Sequence, residues 1–166
     1  MNGLGIYLFY ASICILQDRG CWEALASGTA LAREARLRIR GGAATSILKY
    51  TDGDLEKINA EAIHDASQAG DKLANELITR TAYYLGVGLA NLINIFNPEV
   101  IVIGGGLSNI GDMLLKPAFE EAGRRAFRQS YQAVRFARAE LGRNSGVLGA
   151  AAFALEKTRE TDKATK

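Results

Sequence analysis

Asn97-Pro98-Glu99-Val100-Ile101-Val102-Ile103-Gly104-Gly105-Gly106-Leu107-Ser108 is the stretch from which the fold of this chain is read. The proline stops whatever helix precedes it, because the residue before a proline avoids the helical region. A continuous aliphatic run follows and reads as a short strand, 99–103, buried on both faces. The strand opens into three glycines and a serine. Glycine has no Cβ, tolerates positive φ and lets main-chain N–H groups come close to a ligand, so the pattern points to phosphate or ribose. Open α/β sheets bind ligands at the carboxyl ends of their strands. Gly104, Gly105, Gly106 and Ser108 are therefore the candidate nucleotide-binding residues.

Upstream of this stretch, Leu73, Leu77, Leu85, Leu89, Leu92, Ile93 and Phe96 recur at helical spacing and predict a helix over 72–96, capped by Asp71. Gly86, Gly88 and Ala90 leave room for another element to approach its middle. A helix over 55–68, capped by Asp54, carries Ile58, Ala62 and Ile63 on its apolar side and ends at Gly70. Residues 43–53 show little periodicity and read as a connection. Before them, an alanine- and leucine-rich segment predicts a helix from Glu23 to Arg40, stopped by Gly41-Gly42. Arg33, Arg36, Arg38 and Arg40 read as its solvated face.

Downstream, a helical stretch is expected over 109–129, kinked or restarted at Pro117. A second strand follows at 134–141, then a turn at 142–146 and a helix at 147–157. The chain thus predicts a helix-rich α/β protein with a polar tail at 158–166.

Composition narrows the class. The chain has 166 residues, 48% hydrophobic and 23% charged, enough for one domain with a real core. Its 20 basic and 18 acidic residues leave a net charge of +2, too balanced to argue for nucleic acid or a membrane surface. The two cysteines, Cys14 and Cys21, cannot make a disulfide framework and point to a reducing compartment or the remains of a metal site. Leu4 to Leu16 is apolar and uncharged but too short to span a bilayer. It lacks the basic start and cleavage site of a signal peptide, so a cytoplasmic location is expected. Residues 1–17 carry no charged side chain and stand apart in character from the rest. His64, beside Asp65, reads as a surface residue, and Trp22 as packing.

Three segments in order resemble the ROK family (repressors, open reading frames and sugar kinases). They are Gly20-Cys21-Trp22-Glu23-Ala24-Leu25-Ala26-Ser27-Gly28, then Asn97 to Ser108, then Leu141-Gly142-Arg143-Asn144-Ser145-Gly146-Val147-Leu148-Gly149-Ala150-Ala151. The resemblance covers about 18–157. It implies the C-terminal lobe of an actin/hexokinase-like (ribonuclease H-like) ATPase fold. It also implies transfer of the ATP γ-phosphate to a hexose hydroxyl, glucose first among the hexoses, with Mg²⁺.

On this resemblance Glu23 matches the glutamate that accepts sugar hydroxyls, a task suited to a carboxylate. Gly104, Gly105, Gly106 and Ser108 match the nucleotide-side loop. Cys21 matches a zinc-binding cysteine, and Cys14 has the spacing of another. The chain departs from the family's zinc motif at Leu16 and Gln17, and its only histidine is His64. A structural zinc site needs about four ligands, so no zinc is expected.

The family's phosphate loop and catalytic aspartate belong to a first lobe, and nothing before Asp18 resembles either. A partial kinase chain, inactive by itself, is the leading expectation. Two others stand beside it. One is part of a sugar-sensing ROK repressor, although no helix-turn-helix is visible. The other is a non-catalytic assembly module, since a homo-oligomer is implied and an apolar surface could mediate it.

Overall fold

The computed structural model describes residues 21–140 and 145–164. Asp71 fixes where its central helix begins. The carboxylate accepts the Ala74 amide at 2.9 Å, as a helix cap should, and also the Thr45 and Ser46 hydroxyls, each at 2.9 Å, and the Ser46 amide. One side chain thus ties the 43–50 connection to the start of the helix. Burial alone would raise its pKa, but these donors together hold the carboxyl below its ordinary value.

Elements are numbered in chain order. They are α1 (Glu23–Ala26), α2 (Gly28–Arg40), α3 (Ala60–Gln68), α4 (Lys72–Phe96), β1 (Val100–Ile103), α5 (Asp112–Arg125), α6 (Arg128–Ala133), β2 (Arg135–Arg138) and α7 (Ser145–Ala164). Single 3₁₀ turns lie at Ile47–Tyr50 and Gly106–Ile110.

The core is built around α4. Leu77, Ile78, Ala82, Leu89 and Ile93 are buried against Leu31 and Ala35 of α2, Ile63 and Ala66 of α3, and Leu114, Leu115 and Ala118 of α5. The two helical glycines are the points of closest approach. A Cβ on Gly86 would lie 2.6 Å from the Ala118 carbonyl, so α5 crosses main chain on main chain. A Cβ on Gly88 would fall inside the indole of Trp22. The helix ends as its sequence predicts, with Asn97 left-handed at φ 44° and Pro98 next.

β1 and β2 pair in parallel, Val100 with Arg135 through Ile103 with Arg138. A parallel pair needs a crossover, supplied here by the 3₁₀ turn, α5 and α6. Phe136 of β2 stacks on Phe119 of α5 at 4.1 Å between ring centroids.

Several expected elements differ. The helix foreseen from Glu23 to Arg40 breaks at Ser27, which is extended (φ −120°, ψ 162°) and accepts the Ala30 amide through its hydroxyl. A serine able to cap a second helix competes with continuation of the first. Helix α3 begins at Ala60 rather than 55, with Asn59 as its cap, while Asp54 only closes a turn onto the Glu56 amide. The 109–129 helix is interrupted by Gly111 at φ 72° and by extended Ala126, and Pro117 lies inside α5.

Strand β1 is not buried on both faces. Ile101 and Ile103 turn toward the core, whereas Val100 and Val102 are 37% and 61% exposed. Among the described residues the sheet has two strands, and nothing covers that second face. The arginine face of α2 is only partly solvated. Arg33 donates to the Ala24 carbonyl at 2.7 Å and Arg36 to that of Ile58 at 3.1 Å. Arg38 and Arg40 form exposed ion pairs with Glu76 and Glu56. No helix among the described residues is long and apolar enough to cross a membrane.

Candidate functional site

Gly105, at φ 84°, turns the chain away from β1, and Gly106 begins the 3₁₀ turn. Only glycine adopts that φ without strain. Ser108 closes the turn: its hydroxyl donates to the Gly105 carbonyl at 2.7 Å, and its amide reaches the same oxygen at 3.2 Å. The serine therefore shapes the loop through its own main chain. A Cβ at Gly105 or Gly106 would meet nothing within 4 Å, so the turn borders open space.

That space is a cleft of about 610 Å³ between the glycine turn and the helices α2 and α3. Gly106, Leu107 and Asn109 line it from the turn. Thr29 and Arg36 line it from α2, and Asn59, Glu61, His64 and Asp65 from the start of α3. Arg36 is its single Lys/Arg lining residue, and that guanidinium also holds the Ile58 carbonyl. The lining therefore offers carboxylates and amides rather than a cluster of cations.

The sequence-derived residues separate in space. Gly106 lines the cleft, and Gly105 and Ser108 shape the turn beside it. Glu23 is the first residue of α1, exposed, and is not among the lining residues. Cys21 is half-buried next to the α1 cap. Cys14, the segment 1–17 and the turn at 142–144 lie outside the described residues. Among the described residues, no group of three His, Cys, Asp or Glu side chains could hold a metal ion.

His64 was expected on the surface. It is half-buried, lines the cleft and lies 3.2 Å from the Gln68 amide nitrogen. Asn59 and Glu61 were also not foreseen there. The signal for them was present in Asn59, an asparagine directly before the true apolar spacing of α3, but Asp54 competed for it.

The sequence matches the profile of the ROK family over residues 4–157, a range that runs across the break in character near residue 17. It is 36% identical over 137 residues to a glucokinase of Halalkalibacterium halodurans, covering 82% of this chain and 41% of that protein. It is 28% identical over 147 residues to a xylose repressor of Caldicellulosiruptor bescii, covering 89% of this chain and 36% of that protein. Among solved structures, it resembles a ROK family glucokinase from Streptomyces griseus in complex with glucose and AMPPNP. The TM-score is 0.73 at 31% identity, with 89% of this chain and 48% of that chain covered. The chain spans less than half the length of these relatives. It belongs to the ROK family, and its fold is a helix-rich α/β lobe of the actin/hexokinase-like kind.

Proposed function

We propose that this ROK-family chain is the nucleotide-side part of an ATP-dependent hexose kinase of the glucokinase type, working in the cytoplasm. The observation that carries the proposal is the glycine turn at the carboxyl end of β1, opening onto the α2–α3 cleft. Glycines without side-chain neighbours admit the flat base and ribose, and the carboxylates and amides of the cleft suit ribose hydroxyls and base edges. One lysine or arginine in the lining, already engaged with a carbonyl, suits the nucleoside end of ATP rather than its phosphates. The glucokinase with bound AMPPNP, whose structure this chain resembles, supports the same assignment.

In phosphoryl transfer the protein mainly positions its substrates, stabilises charge and accepts the hydroxyl proton. Gly104, Gly105 and Gly106 position the nucleotide, with Ser108 fixing their turn. Glu23 holds hexose hydroxyls, glucose being the first candidate. The proton-accepting aspartate is assigned to the part of the relatives' length that this chain does not span. Mg²⁺ would enter as part of the MgATP substrate, held largely by phosphate oxygens and water.

The test is calorimetric titration of the chain with Mg·AMPPNP and with glucose, beside a coupled kinase assay. The expected result is binding without turnover. Gly106→Val places its side chain in open space, so it should melt like the parent yet bind nucleotide at least about tenfold more weakly. Unchanged affinity in that variant would remove the glycine turn from the nucleotide site. The similarity to a xylose repressor supports a second reading, sugar sensing without phosphoryl transfer. It predicts sugar binding with no nucleotide binding in the same titration.

A further inference from the structure

We infer that Trp22 is a positioning residue, which sets the place of the Glu23 carboxylate by pinning the short helix α1 onto α4; this rests on the assignment of Glu23 to the hexose. Helix α1 has four residues, too few to hold its own orientation. Its first residue is Glu23, exposed and directly after the cap residue Trp22. The Trp22 indole N–H donates to the Tyr84 carbonyl in the middle of α4 at 2.8 Å. The ring lies where any side chain on Gly88 would have to be, with its nearest atoms 1.9–2.4 Å from the Cβ position. Gly88 is therefore a seat for the indole, distinct from Gly86 of the same helix, which faces Ala118 and Glu121 of α5.

The residue after Glu23 is held too, because the Ala24 carbonyl accepts from Arg33 at 2.7 Å. The main chain of Glu23 is thus fixed on both sides, by an aromatic anchor before it and a charged hydrogen bond after it. A carboxylate that accepts two sugar hydroxyls depends on direction, and small displacements cost it much of its affinity. Trp22 is the only tryptophan of the chain, so its emission reports on this anchor.

The experiment is a double-mutant cycle on the whole chain, read by calorimetric titration with glucose, with thermal melting of every variant. Trp22→Phe keeps the ring but loses the indole donor, and Gly88→Ala blocks the seat. Each should weaken glucose binding about tenfold. Glu23→Gln should weaken it as well, and adding Trp22→Phe to Glu23→Gln should cause no further loss. In the parent, glucose should also shift the Trp22 emission.

If Trp22→Phe and Gly88→Ala leave glucose binding unchanged while Glu23→Gln weakens it, the positioning role is overturned and Glu23 keeps its assignment. The same holds if Trp22→Phe costs as much in the Glu23→Gln background as in the parent. If Glu23→Gln binds glucose like the parent, or the parent binds none, Glu23 is not a hexose ligand and the positioning role falls with it. Should Gly88→Ala fail to fold, the Trp22→Phe cycle alone decides.

Discussion

The helical half of this molecule closes its own core, and the sheet half does not. Around α4, Ala35, Ile63, Ala74, Ile93 and Leu114 have no exposed surface at all. At the sheet, the carboxyl-terminal helix, the last residue of α4 and the α5–α6 junction, side chains of the same chemistry lie open: Val102 61%, Phe153 62%, Val147 74%, Phe96 70% and Phe127 68% exposed. Hydrophobic sequence alone does not bury a residue; a partner surface must be supplied. The first group has its partners within the described residues, and the second does not.

Substitutions can break this contrast or sharpen it. The largest effect is expected in the closed half. Leu114→Ala removes a fully buried side chain from the α4–α5 contact and should cost about 3 kcal/mol in denaturant unfolding. A cost under about 1 kcal/mol would mean that the helical core is looser than its burial suggests.

Asp71→Ala comes next, at about 2 kcal/mol, since it removes a helix cap together with hydrogen bonds to the 43–50 connection. The pH dependence has a definite sign. Because the folded carboxyl is held below its ordinary value, its stabilisation is full above the unfolded pKa, near 3.8, and is lost as pH falls through the folded value. The parent should therefore lose part of its advantage over the variant below about pH 4. A gap between them that stays constant down to pH 2 would contradict the assigned role.

Gly105→Ala should cost about 1 kcal/mol from its φ of 84° alone, and should weaken nucleotide binding besides. Thermal melting separates the first effect and titration with Mg·AMPPNP the second. The smallest effect belongs to the open half. Val102→Thr should change stability by less than about 0.5 kcal/mol while making the chain more soluble. If Val102→Thr instead costs as much as Asp71→Ala, the outer face of β1 is covered in solution.

Much of the fold was legible because its signals are local. Asp71, the periodic leucines of α4 and the Asn97-Pro98 stop specify that helix almost to the residue. Gly86 and Gly88 announced close approaches, and α5 and the Trp22 indole fill them. Where the reading failed, two residues competed for one role. Asp54 and Asn59 were both able to cap α3, and only the position of Ile58, buried outside the helix and held through its carbonyl by Arg36, decides between them. Burial of β1 was misjudged for another reason, because an aliphatic run shows readiness for two covers and not their presence. The glycine turn could be found from sequence, but the far wall of its cleft could not. Asn59, Glu61 and His64 reach it only because α3 packs beside the 3₁₀ turn.

The pairing of β1 with β2 also has a consequence for the order of folding. Val100 meets Arg135 across thirty-five positions of chain, and the strands are linked only through α5 and α6. Such a loop is closed at an entropic cost that four residue pairs cannot repay by themselves. The glycine turn inherits its place from the end of β1. The expected order is that α5 docks on α4 before the turn takes shape, so that the ligand-facing loop forms after the helical core and opens before it. In hydrogen exchange, the amides of Arg135 and Ala139, which donate to the Glu99 and Ile103 carbonyls across the strand pair, should lose protection before those of Leu85 and Leu89.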